Sequence, residues 1–145
     1  MRSSVQSLEV SYFIQMTEDE AKVKRAVAAL LGGDLPEERE VVEGHFGNSI
    51  ALIKHHLTGA SAEEAFDRIV QAMAAGERRA IRADLSSVVD EHGALYIRLN
   101  KQVLVLRGEA SLTSSDPVRI RVKPRAHLVR DPSMYYSRVL EEGSG

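Results

Sequence analysis

Two stretches near the C-terminal end decide the fold: Leu95-Tyr96-Ile97-Arg98-Leu99-Asn100 and Val118-Arg119-Ile120-Arg121-Val122-Lys123. In each, aliphatic residues alternate with polar or charged ones. Period two is the signature of a β-strand with one face in a core and the other in water. Val5 to Met16 behaves in the same way, with Leu8, Val10, Tyr12 and Ile14 alternating with Ser7, Glu9, Ser11 and Phe13. One-sided strands belong to antiparallel sheets, because a sheet covered on both faces reads as continuous apolar runs.

Working outward, Thr17 stands three residues before Glu20 and forms a capping box, which predicts a helix start. Val23, Val27, Leu30 and Leu31 continue at helical spacing until Gly32-Gly33. Arg39 to Phe46 and Ser49 to Leu57 read as strands. Gly47-Asn48 between them suits a two-residue hairpin turn. Ser61 with Glu64 is a second capping box, followed by Ala65, Phe66, Ile69, Val70 and Met73 on one helix face. A third helix carries Ile81, Leu85 and Val88 on one side and Arg78, Arg79 and Arg82 on another. Lys101 to Gly108 fits either a short helix or a strand.

The expected order is β-α-β-β-α-α-β-β. This is an α+β fold: an antiparallel sheet with helices on one face. Residues 1–130 form one domain. Residues 131–145 form a C-terminal tail, either loosely ordered or holding one helical turn around Tyr135 to Leu140.

Composition narrows the function. At 43% hydrophobic, the 145-residue chain can bury a core of one ordinary domain. It has no cysteine, which removes thiol nucleophiles, thiolate metal sites and disulfides. Apolar runs such as Val103 to Leu106 are too short to span a bilayer. Met1-Arg2-Ser3-Ser4 is not followed by an apolar stretch, so a cytoplasmic protein is expected. The glycines make no phosphate-loop or dinucleotide fingerprint, and no serine sits in a nucleophile elbow. Metal binding would need convergent ligands. His55 and His56 are adjacent and so point to opposite sides of a strand, while His45, His92 and His127 are scattered; only His45 with His55 across the hairpin merits a geometric check. Glu37, Glu38, Glu40 and Glu43 read as solvated charge. Neither cofactor nor metal is expected, and the chain does not read as an enzyme.

Charge is distributed unevenly. Residues 1–97 hold 10 Lys/Arg and 16 Asp/Glu, a net of −6, whereas residues 98–130 hold 8 and 2, a net of +6. A polyanion responds to such local charge rather than to the total of −2. Alternation sends Arg119, Arg121 and Lys123 to one side of a strand, with Arg125 next in line beyond Pro124. Tyr96 and Arg98 share a side of the preceding strand. Cations neutralise phosphates, and an aromatic ring or a flat guanidinium stacks on an unpaired base. The expected RNA surface is therefore Tyr96, Arg98, Arg119, Arg121 and Lys123, with Lys101 and Arg125 at its margins. The plainer alternative is a solvated outer face whose cations guard an edge strand.

Four segments carry a family resemblance. Val10-Ser11 leads to Met16-Thr17-Glu18-Asp19-Glu20, a strand running into a helix start. Glu43-Gly44-His45-Phe46-Gly47-Asn48-Ser49-Ile50 resembles a hairpin motif. Asp90-Glu91-His92-Gly93-Ala94-Leu95-Tyr96-Ile97-Arg98-Leu99-Asn100-Lys101-Gln102 and the closing Val118 to Lys123 complete the set. Together they resemble small archaeal proteins described as RNA-binding and as predicted exosome subunits. The resemblance implies a fold similar to the fifth large-subunit ribosomal protein. It further implies a non-catalytic RNA-binding accessory role beside RNA processing or exosome-mediated decay. The alternative is an interaction or assembly subunit, a homodimer or scaffold without direct RNA binding, which an exposed aliphatic patch near Leu104 to Leu106 would favour.

Overall fold

The computed structural model describes residues 4–33, 35–43, 47–113, 115–125 and 130–142. The elements in chain order are β1 (Val5–Ile14), α1 (Glu20–Leu31), β2 (Glu38–Glu43), β3 (Ser49–Thr58), α2 (Gly59–Ala72), α3 (Ala75–Ala83), α4 (Leu85–Val88), β4 (Leu95–Asn100), α5 (Lys101–Arg107), β5 (Pro117–Pro124) and α6 (Pro132–Glu142). The strands form one sheet in the order β2-β3-β1-β5-β4, with every neighbouring pair antiparallel.

The alternation seen in the sequence becomes two unlike faces. Leu8, Val10 and Tyr12 of β1, Ile53 of β3, Leu95, Ile97 and Leu99 of β4, and Val118, Ile120 and Val122 of β5 are buried. They meet Val27 and Leu30 of α1, and Phe66, Ile69 and Val70 of α2, in one hydrophobic core. The opposite face carries no helix among the described residues. The α+β architecture with an open antiparallel sheet is therefore as expected. Register matters because a slip of one residue would turn Arg119 and Arg121 into the core and Ile120 into water. The pairings Tyr96↔Arg121, Ile97↔Ile120 and Arg98↔Arg119 hold it.

Local details depart from expectation for physical reasons. The α1 cap is Asp19, whose carboxylate accepts from the Lys22 amide at 3.2 Å, rather than Thr17. Asp and Ser/Thr compete for the same job, and the one next to the first turn wins. Ser61 caps nothing, because α2 starts two residues earlier with Gly59 at φ +58. That left-handed residue lets β3 pass directly into the helix. β2 pairs Glu43 with Ser49, so the hairpin connection is longer than the two-residue turn expected at Gly47-Asn48. Gly44, His45 and Phe46 of that motif lie outside the described residues. Lys101 to Arg107 resolves as helix α5, capped by the Asn100 side chain, which accepts from the Val103 amide at 3.0 Å.

The C-terminal segment is a helix of three turns rather than one. Tyr136 and Leu140 of α6 are fully buried. The Tyr136 hydroxyl donates to Gly93 O at 2.6 Å and lies 3.3 Å from Val122 O. Phe66 meets the Tyr136 ring edge to face at 6.0 Å. Residues placed by their sequence in a tail thus complete the core beside β4 and β5. No helix among the described residues is long and apolar enough to cross a membrane.

Candidate nucleic-acid interface

The open face is organised as cross-strand rows. One runs His56–Glu9–Arg121–Tyr96 across β3, β1, β5 and β4, and its neighbour runs Glu38–Lys54–Ser11–Arg119–Arg98 from β2 to β4. Lys123 stands opposite Ser7 in a third. Four cations and one tyrosine expected from the sequence therefore lie together on β4 and β5. They owe this to register: even positions on β4 and odd positions on β5 point away from the core.

The ring chemistry is specific. The Arg121 guanidinium lies over the Tyr96 ring, 5.9 Å from its centroid, and Arg119 lies over Phe13 at 5.8 Å. Such contacts hold a flat cation in place at modest energy, about 0.5–1 kcal/mol where water has access. The Tyr96 hydroxyl donates to Asp90 Oδ2 at 2.9 Å. Asp90 also accepts at Oδ1 from the Ala94 and His92 amides, both at 2.9 Å. The Ala94 amide, followed by the Tyr96 hydroxyl and the His92 amide, holds the Asp90 carboxyl below its ordinary range. The carboxylate therefore closes the turn before β4 and steadies the exposed ring.

A shallow groove crosses the face, with Tyr96, Arg119 and Arg121 on one side and Lys54, His56 and Glu38 on the other. Glu9 stands in it, 3.7 Å from Arg121 Nη1 and 3.5 Å from His56 Nδ1. The groove can take a ligand that brings negative charge, and a flat ring for Tyr96, to the β4–β5 side.

The marginal residues fare differently. Lys101 does not join the face. It is 1% exposed, and its ammonium bonds Glu18 Oε1, Asp116 Oδ2 and Phe13 O, each at 2.8 Å. Three acceptors for three donors leave nothing for a phosphate. Arg125 is half-buried just past β5, where its amide donates to Ser4 O at 2.9 Å. Arg78 is buried and donates to Val70 O and Met73 O at the end of α2, while Arg82 faces Ser137 and Glu141 of α6. These two α3 arginines thus brace helices rather than extend the open face.

The histidines also have local duties. His55 is buried between the Tyr12 hydroxyl, 2.9 Å from Nε2, and Pro36 O, 3.2 Å from Nδ1. His92 sits beside Glu91. His45 and His127 lie outside the described residues, so the pairing of His45 with His55 does too. Of the aliphatic run near Leu104, Leu104 is buried and Leu106 is exposed. Single exposed aliphatics are ordinary on protein surfaces. Sequence reasoning missed Phe13; the available signal was an aromatic residue at an outward position of an otherwise polar strand face.

The open face thus gathers four cations and an exposed ring on one side of an antiparallel α+β sheet. The chain belongs to a family described as RNA binding, which matches residues 7–124. It is 29% identical over 127 residues to an RNA-binding protein of Pyrococcus abyssi, covering 83% of this chain and 82% of that one. It is also 29% identical over 119 residues to an uncharacterised protein of Methanocaldococcus jannaschii, covering 77% and 78%. Among solved structures, a protein from Archaeoglobus fulgidus superposes with a TM-score of 0.74 at 25% identity, covering 96% of this chain and 99% of the other. One from Sulfolobus solfataricus gives 0.73 at 23% identity, covering 94% and 93%. The archaeal family suggested by the sequence motifs is thus the correct one.

Proposed function

We propose that this chain is a non-catalytic RNA-binding accessory protein whose open sheet face holds the RNA backbone. One observation carries the reading: Arg98, Arg119, Arg121 and Lys123 converge with Tyr96 on the uncovered side of β4 and β5. Phosphate neutralisation with counterion release supplies affinity there without any sequence code. The family description and the name of the Pyrococcus abyssi relative support the same reading. A place beside RNA-processing machinery or the exosome is the role that the motif resemblance favours. Pull-downs with and without RNase would separate a protein partner from an RNA bridge.

The direct test is fluorescence anisotropy with labelled RNA across a salt series. The Arg119→Ala/Arg121→Ala variant should bind about tenfold or more weakly. Its salt slope should fall by about one unit for each phosphate that the variant leaves un-neutralised. Wild-type affinity and slope in a folded double variant would make this face a solvated edge.

A further inference from the structure

The open face is polarised across its width. Arg98, Arg119, Arg121 and Lys123 occupy the β4–β5 half, whereas Glu38 and Glu40 occupy β2 at the far edge, with Glu9 of β1 between them. Lys54 and His56 of β3 temper the acidic half without removing it. Strands lie about 4.8 Å apart, so β4 and β2 are separated by about 19 Å. Charge therefore reverses within the width of one nucleic-acid ligand.

Resting on the RNA-binding reading of this face, we propose that its ligand is single-stranded RNA, with bases stacking on Tyr96 at the groove and on Phe13 beyond its end. A duplex presents two phosphate rails, and its bases are hidden in the stack. With one rail on the β4–β5 cations, the other approaches Glu9 or the Glu38–Glu40 edge, where like charges repel. A single strand has one backbone. Its phosphates can follow Arg98, Arg119 and Lys123 while its bases turn toward the groove. Tyr96 lines the groove and Phe13 stands on β1 two residues past Ser11, and each already carries a guanidinium at 5.8 or 5.9 Å that can sandwich or exchange with a base. Tyr96 on β4 and Phe13 on β1 flank β5 from opposite sides, four positions apart in register, roughly 16 Å, so the two ring–guanidinium pairs can serve bases a few nucleotides apart on one chain. Tyr96 is 42% exposed, enough to offer ring surface to an incoming base.

The experiment compares one short mixed-sequence RNA, alone and annealed to its complement as a blunt duplex. It uses wild type, Tyr96→Ala, Glu38→Gln/Glu40→Gln and Arg119→Ala/Arg121→Ala, each confirmed as folded by circular dichroism. Wild type should prefer the single strand by at least about tenfold. Tyr96→Ala should weaken single-strand binding by roughly 5- to 150-fold and leave duplex binding nearly unchanged. Glu38→Gln/Glu40→Gln should strengthen duplex binding more than single-strand binding. Equal or tighter binding of the duplex, or equal loss of both ligands in Tyr96→Ala, overturns the proposal. In that case a loss of binding in Arg119→Ala/Arg121→Ala keeps the RNA reading of the face intact. Binding of neither ligand by wild type sinks both.

Discussion

Tyr96 and Arg121 face each other across the β4–β5 ladder, and the guanidinium rests 5.9 Å from the ring centroid. The ring is held at two points, since its hydroxyl also reaches Asp90. If the ring surface is what RNA uses, the hydroxyl should matter little. Tyr96→Phe keeps the ring and removes one solvent-accessible hydrogen bond, worth about 0.5–1.5 kcal/mol of folding stability at most. RNA affinity should stay within about threefold of wild type, because base stacking needs only the π-face. Anisotropy titrations of Tyr96→Phe beside Tyr96→Ala read this directly. A phenylalanine variant as weak as the alanine variant would mean that the hydroxyl, not the ring, meets the RNA.

Lys101 should prove structural. Its ammonium ties the end of β1, through Phe13 O, to Glu18 before α1 and to Asp116 before β5. Lys101→Met keeps much of the buried stem and removes the charge, leaving Glu18 and Asp116 facing each other. Breaking a buried pair by removing one partner costs about 3–5 kcal/mol. Asp116 is 44% exposed at its side chain, so water offsets part of this and the lower end of the range is expected. Urea denaturation should show the loss as a lower midpoint. Under conditions where the variant is folded, the salt slope of RNA binding should match wild type. A lower slope with unchanged stability would return Lys101 to the RNA surface.

The contrast between Lys101 and its neighbours marks what a sequence can reveal. Arg119 and Arg121 were legible because strand period alone decides their side. Lys101 follows the last strand residue and begins α5, so no period governs it. Lysine is rarely buried without a partner, and its partner Glu18 lies 83 residues away in the chain. The caps failed for a related reason: Thr17 and Ser61 both fit the motif, but Asp19 and the left-handed Gly59 set the actual helix starts. The helix face of Tyr135, Tyr136 and Leu140 was visible only as a short apolar cluster. Its destination between Phe66 and the turn at Gly93 depends on tertiary packing.

Asp90 gives stability a defined pH dependence. Its carboxylate accepts from two backbone amides and the Tyr96 hydroxyl, and its folded value lies below the ordinary one. A carboxyl lowered on folding stabilises the protein above the unfolded value, near about 4. That contribution disappears as pH falls through the folded value. Asp90→Ala should therefore melt below wild type at neutral pH, and the gap should narrow as pH falls below the unfolded value and through the lowered folded one. Melting temperatures of both proteins across an acid series test the sign. A gap that widens in acid would contradict the origin assigned to the lowered value.

The packing of α6 makes the firmest demand on stability. Burial pushes the Tyr136 hydroxyl well above its ordinary value, so it remains a donor to Gly93 O at working pH. Tyr136→Phe leaves that buried carbonyl without its side-chain donor and should cost about 1 kcal/mol. Leu140→Ala opens a cavity in a fully buried position and should cost about 2–5 kcal/mol. Gly93 is constrained twice: its φ of +83 suits glycine, and an added Cβ would lie 2.7 Å from Pro132 Cγ. Gly93→Ala should therefore strain the turn and push α6 off together, costing more than the roughly 1 kcal/mol of a simple left-handed penalty. Chemical denaturation of the three variants orders these effects, with Tyr136→Phe the mildest. Removing residues 131–145 should be worse than any of them, because it uncovers Phe66 of α2 and the faces of α3 and α4 that α6 packs on, and removes the Tyr136 bonds to Gly93 and Val122 at once. A chain ending at Arg130 that melts within a few degrees of the full chain would show that α6 only rests on the core.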